Sequence, residues 1–177
     1  MPTIKNKKTI ATTKLFKIEK LDINFSKNVD REYEIISGTG LGAVMVLPIL
    51  DNNLIFIKEY AAAIDDYSLT FPKGRIDNQE KILEAANREL QEEIGFKANK
   101  MINAYTLDLA PGYLSHQTYI VIASELEYSE LEGDEPEKLE IVKCPLNSIT
   151  TFLLQQKNID SRVFAAVFIY LNFLKDE

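Results

Sequence analysis

The sequence predicts an α/β sandwich in which helices pack against a mixed sheet, with a lobe of β-strands at the N-terminus. Apolar stretches of strand length recur along most of the chain, and segments rich in helix-forming residues are interspersed among them. The length of 177 residues suits one domain with a small extra lobe and is sufficient to bury a core without disulfides. We expect the lobe to cover residues 1–40 and the main domain residues 41–177.

The N-terminal third is predicted to form two pairs of strands. Residues 1–13 are polar, and we expect a loose tail there. Residues 14–25 alternate apolar and polar side chains, as a half-buried strand does, and residues 31–37 are a candidate partner for them. The apolar strands 43–50 and 54–60 are joined by Asp51, Asn52 and Asn53, residue types that favour a hairpin turn.

The remainder of the chain is predicted to contain three strands and three helices. Residues 80–94 are mostly good helix formers, and Gly95 is suited to the left-handed conformation that ends a helix. Further strands are expected at 102–110, 117–126 and 139–145. Two helices are expected at 146–157 and 160–174, the second with apolar side chains at helical spacing: Val163, Ala166, Val167, Tyr170 and Leu174.

Charge and composition exclude several classes of function. The net charge of −7 disfavours nucleic acid as a partner, because neutralising phosphates requires an excess of Lys and Arg. The longest apolar run, residues 41–50, is too short to cross a bilayer, and residues 1–14 lack the apolar core of a signal peptide. Cys144 is the only cysteine, so no intramolecular disulfide can form. We expect a soluble cytoplasmic protein that contacts no membrane.

Three glutamates occupy unexpected positions on the helix predicted at 80–94. At 100° per residue, Glu93 falls between Ile82 and Ala86 on the apolar face, and Glu89 adjoins it; Leu90, Leu83 and Ile94 complete this face. A buried carboxylate must be paired, protonated or bound to a metal ion. Arg88 can pair with only part of the cluster that Glu89, Glu92 and Glu93 form, and carboxylate oxygens suit Mg²⁺. The alternative is a solvated acidic face.

The segment from Gly74 to Phe96 resembles the signature motif of the Nudix hydrolases at every fixed position. The matching residues are Gly74, Glu80, Arg88, Glu89, Leu90, Glu92, Glu93, Gly95 and Phe96. This resemblance implies an α/β/α sandwich and hydrolysis of a nucleoside diphosphate linked to another group, with Mg²⁺ or Mn²⁺ as cofactor. It further implies that Glu89 and Glu93 are metal ligands, that the backbone carbonyl of Gly74 or Lys73 joins them, and that Glu92 binds or bridges a second ion. Arg88 would orient a metal-binding carboxylate, and Glu80 would be structural.

Segments outside the motif resemble the Nudix enzymes that cleave ADP-containing compounds, and they include REYEIIS, IKEYA, DLAPGYLS and LEGDEPE. The implied substrates are ADP-ribose, diadenosine polyphosphates and, as a further candidate, NADH. Residues 131–137, LEGDEPE, form an acidic loop. The resemblance implies a catalytic or metal-binding glutamate in this acidic loop. We expect Glu135 to be the base and Glu137 a further metal contact, the alternative being a solvated acidic loop.

Candidate substrate contacts follow from charge and from aromatic side chains. ADP-ribose pyrophosphatases often carry an arginine where this chain has alanines after IKEY, so we expect phosphate contacts from Lys58, Arg31 or Lys73. Pro111 is a candidate wall residue. The rings of Tyr60, Tyr67 and Tyr113 are candidates for stacking on adenine. The alternatives are structural: a surface charge for the lysines and the arginine, a turn for Pro111, and core packing for the tyrosines.

Two other functions remain open at this point. A pyrophosphatase that removes unwanted nucleoside triphosphates would use the same fold, and a non-catalytic Nudix domain would bind a nucleotide sugar without cleaving it. The intact set of motif glutamates argues against the second, because a binding domain does not need all of them. The strand-rich N-terminal lobe favours an ADP-compound enzyme that forms a homodimer through this lobe.

Overall fold

The computed structural model describes residues 1–38 and 40–173, in which ten strands form one connected sheet. The strand order is β1-β2-β3-β9-β4-β5-β10, with β6 paired to β5, β7 to β4 and β8 to β9. The pairing of β9 with β3 and with β4 is parallel and the other pairings are antiparallel. The strands are β1 Thr3–Thr12, β2 Lys17–Ser26, β3 Val29–Ser37, β4 Ala43–Leu50, β5 Asn53–Ala61, β6 Asp66–Thr70, β7 Lys73–Arg75, β8 Phe96–Ala110, β9 Leu114–Tyr128 and β10 Glu140–Pro145.

Helices cover both faces of the central strands, as an α/β sandwich requires. The helices are α1 Ile82–Ile94, α2 Ile149–Leu154 and α3 Ser161–Phe173, with a 3₁₀ turn at Leu146–Ser148 before α2. Successive residues of β4 point to opposite faces: Val44 packs with Leu90 of α1, whereas Met45 packs with Val163 of α3. The predicted mixed sheet and sandwich are confirmed.

The N-terminal lobe contains a strand that the sequence did not reveal. The loose tail predicted for residues 1–13 is wrong, because β1 pairs antiparallel with β2 from Thr3↔Asn24 to Thr12↔Lys17. Every residue of β1 is exposed, so its hydropathy carries no signal of burial. The lobe joins the main sheet where β3 meets β9, at Ile36↔Leu114 and Ser37↔Ser115. The division of the chain at residue 40 stays a prediction.

The helices differ from the prediction mainly at their ends. Helix α1 begins at Ile82, and Glu80 stays outside it because its carboxylate accepts the Asp77 amide hydrogen bond. Leu83 was wrongly assigned to the apolar face; it is 38% exposed, and Ala85 is buried instead. Helix α2 is shorter than predicted at both ends, since residues 146–148 form the 3₁₀ turn and the helix ends at Leu154. The buried face of α3 is confirmed for Val163, Ala166, Val167 and Tyr170, and Leu174 lies outside the described residues.

Two predicted turns are confirmed by backbone angles. Asp51 and Asn52 have φ values of 49° and 62°, which places both in the left-handed region that a two-residue hairpin turn requires. Gly95 ends α1 at φ 74°, and its amide donates to the Leu90 carbonyl. The second turn directs the chain from α1 into β8, which keeps α1 close to the sheet.

A buried glutamate links the strands of the lobe. Glu19 of β2 is 3% exposed, and its carboxylate lies 2.6 Å from the Lys7 ammonium of β1 and 2.9 Å from that of Lys17. The ammonium groups of Lys7 and then Lys17 lower the pKa of Glu19 to about 2. A carboxyl group with a lowered pKa stabilises the fold above its unfolded value of 4.5, and this contribution is lost as the pH falls towards 2.

We therefore expect Glu19→Gln to lower the melting temperature at pH 7, and we expect the difference from wild type to shrink as the pH falls from about 4.5 towards 2. Thermal unfolding followed by circular dichroism at several pH values measures this difference. Glu32→Gln is the control, because it removes the more exposed partner of the Lys20 ion pair in the same lobe. A difference that is independent of pH would contradict the assignment.

Candidate active site

The candidate site begins where β7 passes the side chains of α1. Gly74 pairs with Val44 of β4, which brings its Cα directly against the Glu89 carboxyl group. A Cβ atom at Gly74 would lie 2.0 Å from Glu89 Oε1 and 2.2 Å from its Cδ. Only glycine leaves room for this carboxyl group, so the first fixed residue of the motif and its central glutamate are packed as a unit.

Glu89 and Glu93 carry their carboxyl groups in partly dehydrated surroundings. Burial raises the pKa of Glu89, and the Arg88 guanidinium opposes that shift. Burial also raises the pKa of Glu93 to about 9, although Lys73 opposes it and the Lys73 amide donates a 3.1 Å hydrogen bond to Glu93 Oε2. Glu93 was expected to intrude on the apolar face and Glu89 to adjoin it; Glu89 is buried and Glu93 half-buried, so neither carboxylate lies on the solvated side of the helix.

Arg88 makes five hydrogen bonds, four of which connect three glutamates of the motif, Glu80, Glu89 and Glu92. It donates to both carboxylate oxygens of Glu80 at 2.9 and 3.1 Å, and to the Arg75 carbonyl at 2.9 Å. One nitrogen, Nη1, also donates to Glu89 at 2.6 Å and to Glu92 at 2.8 Å. The planar guanidinium thus fixes the loop before α1 and two carboxylates at the same time. The hydrogen bonds to Glu80 make the largest contribution to raising the pKa of Arg88, so its guanidinium stays charged at neutral pH.

The donors of this cluster suit a hard divalent cation. Within residues 1–38 and 40–173, no three His, Cys, Asp or Glu side chains converge as a ready ligand set. Arg88 holds Glu89 and Glu92, while Glu93 accepts the Lys73 amide. The chemistry nevertheless fits, because a dehydrated carboxyl group such as Glu93 gains from a cation, and carboxylate oxygens are the ligands that Mg²⁺ and Mn²⁺ prefer.

The acidic loop between β9 and β10 lies beside this cluster. The Ser129 amide donates to Gly95 and the Leu131 amide to Gln91, which anchors the loop at the end of α1. Burial raises the pKa of Glu135, and the neighbouring Glu59 raises it further. The loop that carries the predicted base therefore lies against the motif helix, where a Cβ atom at Gly133 would be 3.4 Å from Glu92 Cβ.

Glu137 and two tyrosines form a separate group at the edge of this loop. The Tyr67 hydroxyl donates to Glu137 at 2.7 Å, and the rings of Tyr60 and Tyr67 meet edge to face with centroids 6.0 Å apart. Glu137 is therefore hydrogen-bonded to a tyrosine, and its role as a metal ligand stays a prediction. The exposed rings of Tyr60 and Tyr67 leave faces available for a base.

The remaining predicted substrate residues are dispersed. Lys58 pairs with Glu140 at 2.8 Å across β5 and β10. Arg31 lines a depression of about 310 Å³ in the N-terminal lobe that includes none of the motif residues. The Tyr113 ring is exposed, and its backbone carbonyl accepts the Ile36 amide. Pro111 lines a larger cavity of about 970 Å³ between the lobe and the main domain, which reaches Arg75 of the motif.

Sequence reasoning missed two ion pairs near the motif. Lys73 lies 2.5 Å from Glu59 of β5, and Arg162 at the start of α3 pairs with Asp160. Glu59 was visible in the segment IKEYA, but no local spacing connects it to Lys73, fourteen positions later. The Glu59–Lys73 contact arises only once β5 and β7 meet in the fold, whereas Asp160 and Arg162 are two positions apart in the sequence.

Comparison with known proteins agrees with the fold and the motif. A NUDIX domain model matches residues 41–167, and a NudE-type Nudix hydrolase N-terminal domain model matches residues 2–34. The chain is 43% identical to ADP compounds hydrolase NudE of Escherichia coli over 99% of this chain and 95% of that protein. It is 25% identical to an ADP-ribose pyrophosphatase of Bacillus subtilis, with 90% of each chain covered. A crystal structure of an ADP compounds hydrolase superimposes with a TM-score of 0.91 at 42% identity, covering 99% of this chain and 95% of that one.

The family model covers most of the chain, and the matched region contains every fixed position of the motif from Gly74 to Phe96. The described residues contain no helix that is both long and apolar enough to cross a membrane. The chain belongs to the Nudix hydrolase family.

Proposed function

We propose that this enzyme hydrolyses the diphosphate bond of ADP-containing compounds and releases AMP. The candidate substrates are ADP-ribose, diadenosine polyphosphates and NADH. The observation that carries the proposal is the position of the acidic loop that contains Glu135. The Leu131 amide of this loop donates to the Gln91 carbonyl of α1, and a Cβ atom at Gly133 would lie 3.4 Å from Glu92 Cβ. The full-length similarity to an ADP compounds hydrolase supports the same reaction.

We propose Mg²⁺ or Mn²⁺ as the cofactor, held by Glu89 and Glu93 with the Gly74 carbonyl, and with Glu92 and Glu137 as further ligands. When bound, such an ion offsets phosphate charge and lowers the pKa of a coordinated water. Arg88 keeps Glu89 and Glu92 at a fixed separation before any ion arrives. This preorganisation reduces the reorganisation that ligand binding would otherwise require.

Other residues of the chain serve as the proton acceptor, the phosphate contacts and the nucleoside contacts in this proposal. Glu135 accepts a proton from the attacking water, a role that its raised pKa favours because a carboxylate is a stronger base when its pKa lies closer to neutral pH. Lys73 and Lys58 bind phosphate oxygens, and Arg31 is a more distant candidate for the same task. The Tyr60 and Tyr113 rings and Pro111 are candidate contacts for the nucleoside.

A product assay tests this function. We expect AMP from ADP-ribose, diadenosine triphosphate and NADH when Mg²⁺ is present, and little turnover of dGTP. Release of dGMP alone, from dGTP, would instead indicate a pyrophosphatase that hydrolyses nucleoside triphosphates. Tight binding of ADP-ribose without any turnover would indicate a nucleotide-sugar-binding domain.

We further propose a cytoplasmic homodimer that binds neither nucleic acid nor membranes. The edge strand β1 is exposed along its whole length, and apolar side chains of the lobe, including Ile4, Ile10 and Phe25, face solvent in the single chain. Light scattering should therefore give twice the 20.1 kDa mass of one chain. A monomer mass would exclude the dimer without affecting the proposed reaction.

A further inference from the structure

An ion pair between Glu59 and Lys73 lies beside the motif, and the motif itself does not account for it. The Lys73 ammonium is 2.5 Å from Glu59 Oε2, and the two side chains are only 16% and 24% exposed. Burying two charges carries a desolvation cost that an exposed pair avoids. The neighbouring pair on β5, Lys58 with Glu140, is much more exposed. The Lys73 ammonium is therefore held at one point by a partner that is itself mostly buried.

The position of Lys73 links the two acidic parts of the site. Its amide donates to Glu93, and its ammonium lies close enough to Glu135 to act on it electrostatically. Burial raises the pKa of Asp160, just before α3, but hydrogen bonds from Arg162 and the nearby Lys73 charge lower it. Glu59 thus holds a positive charge on the residue whose amide contacts Glu93 of α1.

A diphosphate that enters this site meets several carboxylates that repel it. An ammonium held at the edge of the cluster gives its oxygens a point of attachment that does not depend on the proposed metal ions. A free lysine side chain would lose rotational freedom when it binds phosphate, whereas a lysine already held by a glutamate has lost that freedom on folding.

We propose that Glu59 is a positioning residue that holds the Lys73 ammonium ready to bind the diphosphate of the substrate. This inference rests on the proposed function. Glu59 acts through Lys73, so replacing Glu59 should matter only while Lys73 is present. A carboxylate that served only to stabilise the fold, or that acted independently, would not show this dependence.

The test is a double-mutant cycle with Glu59→Gln, Lys73→Gln and the combined variant, using ADP-ribose and Mg²⁺. We expect Glu59→Gln to raise KM by about 10-fold with little change in kcat, as loss of one charge-assisted contact does. Lys73→Gln should raise KM at least as much, and the combined variant should be no worse than Lys73→Gln alone. Glu127→Gln, which removes the partner of Lys97 in a cross-strand ion pair outside the site, is the control and should leave KM unchanged.

Additive effects in the cycle would overturn the proposal, as would a Glu59→Gln variant that behaves like Glu127→Gln. If Glu59→Gln fails to fold, Glu59→Asp keeps the charge but shortens the side chain by one methylene, and a wild-type KM in that variant would also overturn it. If the wild-type protein releases no AMP, the proposed function fails by itself. Calorimetric Kd values for ADP-ribose then replace KM in the same cycle, with the same expected pattern and the same contradicting one.

Discussion

Replacing Glu93 with glutamine is expected to lower kcat for ADP-ribose by roughly 10³-fold or more, since a metal ion contributes several kcal/mol of charge stabilisation to such a reaction. Glutamine keeps the shape of the side chain, and its amide oxygen can still accept the Lys73 amide hydrogen bond seen in the structure. It removes the negative charge that makes this position a ligand. Steady-state kinetics with Mg²⁺ measures the loss.

The same substitution should not destabilise the metal-free protein. Burial raises the pKa of Glu93 from 4.5 to about 9, so the folded protein binds this proton more tightly than the unfolded chain does. Stability then falls as the pH rises from 4.5 towards 9, because the unfolded state loses the proton first. Glutamine cannot ionise, so we expect Glu93→Gln to melt at an equal or higher temperature than wild type at pH 8 without metal.

Glu84→Gln is the matched control for this prediction. Glu84 lies on the same helix, but its exposed carboxylate pairs with Lys81 at the helix start, where glutamine also serves. Its kinetics should equal those of wild type. Retention of full Mg²⁺-dependent activity by Glu93→Gln would contradict the assignment of Glu93 as a ligand, and a lower metal-free melting temperature would contradict the electrostatic argument.

Some parts of this structure were predictable because their causes are local in the sequence. The hairpin at Asp51 and Asn52 and the helix stop at Gly95 depend on the backbone preferences of single residues. The dehydrated position of Glu93 follows from helical spacing alone. Strand β1 was not predictable, since its exposed polar residues carry no pattern and only pairing with β2 makes them a strand.

The ion pairs of the site were unpredictable for a related reason. Glu59 and Lys73 lie on different strands, and they meet because β5 and β7 both pair with β4. Glu80 is a fixed position of the motif, but only the structure shows that its carboxylate accepts two hydrogen bonds from Arg88. Sequence patterns thus identify candidate site residues, whereas the tertiary structure determines the hydrogen-bond and ion-pair partners of each one.

Gly74→Ala should reduce activity by about 10²-fold or more, as displacing a precisely held catalytic group by about an ångström does. The added methyl group would lie 2.0 to 2.3 Å from the Glu89 carboxyl atoms, so this side chain must leave its place. Glu89 also accepts a hydrogen bond from Arg88, and its movement would therefore disturb the position of Glu92 on the same guanidinium nitrogen. Steady-state kinetics with ADP-ribose and Mg²⁺ measures the loss.

A control for the added methyl group separates this steric effect from a general effect on the backbone. Gly112 has nothing within 4 Å of the place where a Cβ atom would lie, so Gly112→Ala should leave activity unchanged. The Gly74 backbone has no positive φ, so alanine costs little there except through its contact with Glu89. The double variant Gly74→Ala/Glu89→Ala removes the carboxyl group that the methyl group would meet, and its melting temperature should exceed that of Gly74→Ala while its activity does not recover. If Gly74→Ala retained wild-type activity, Glu89 would not need the position that the structure gives it, and the proposed ligand set would be wrong.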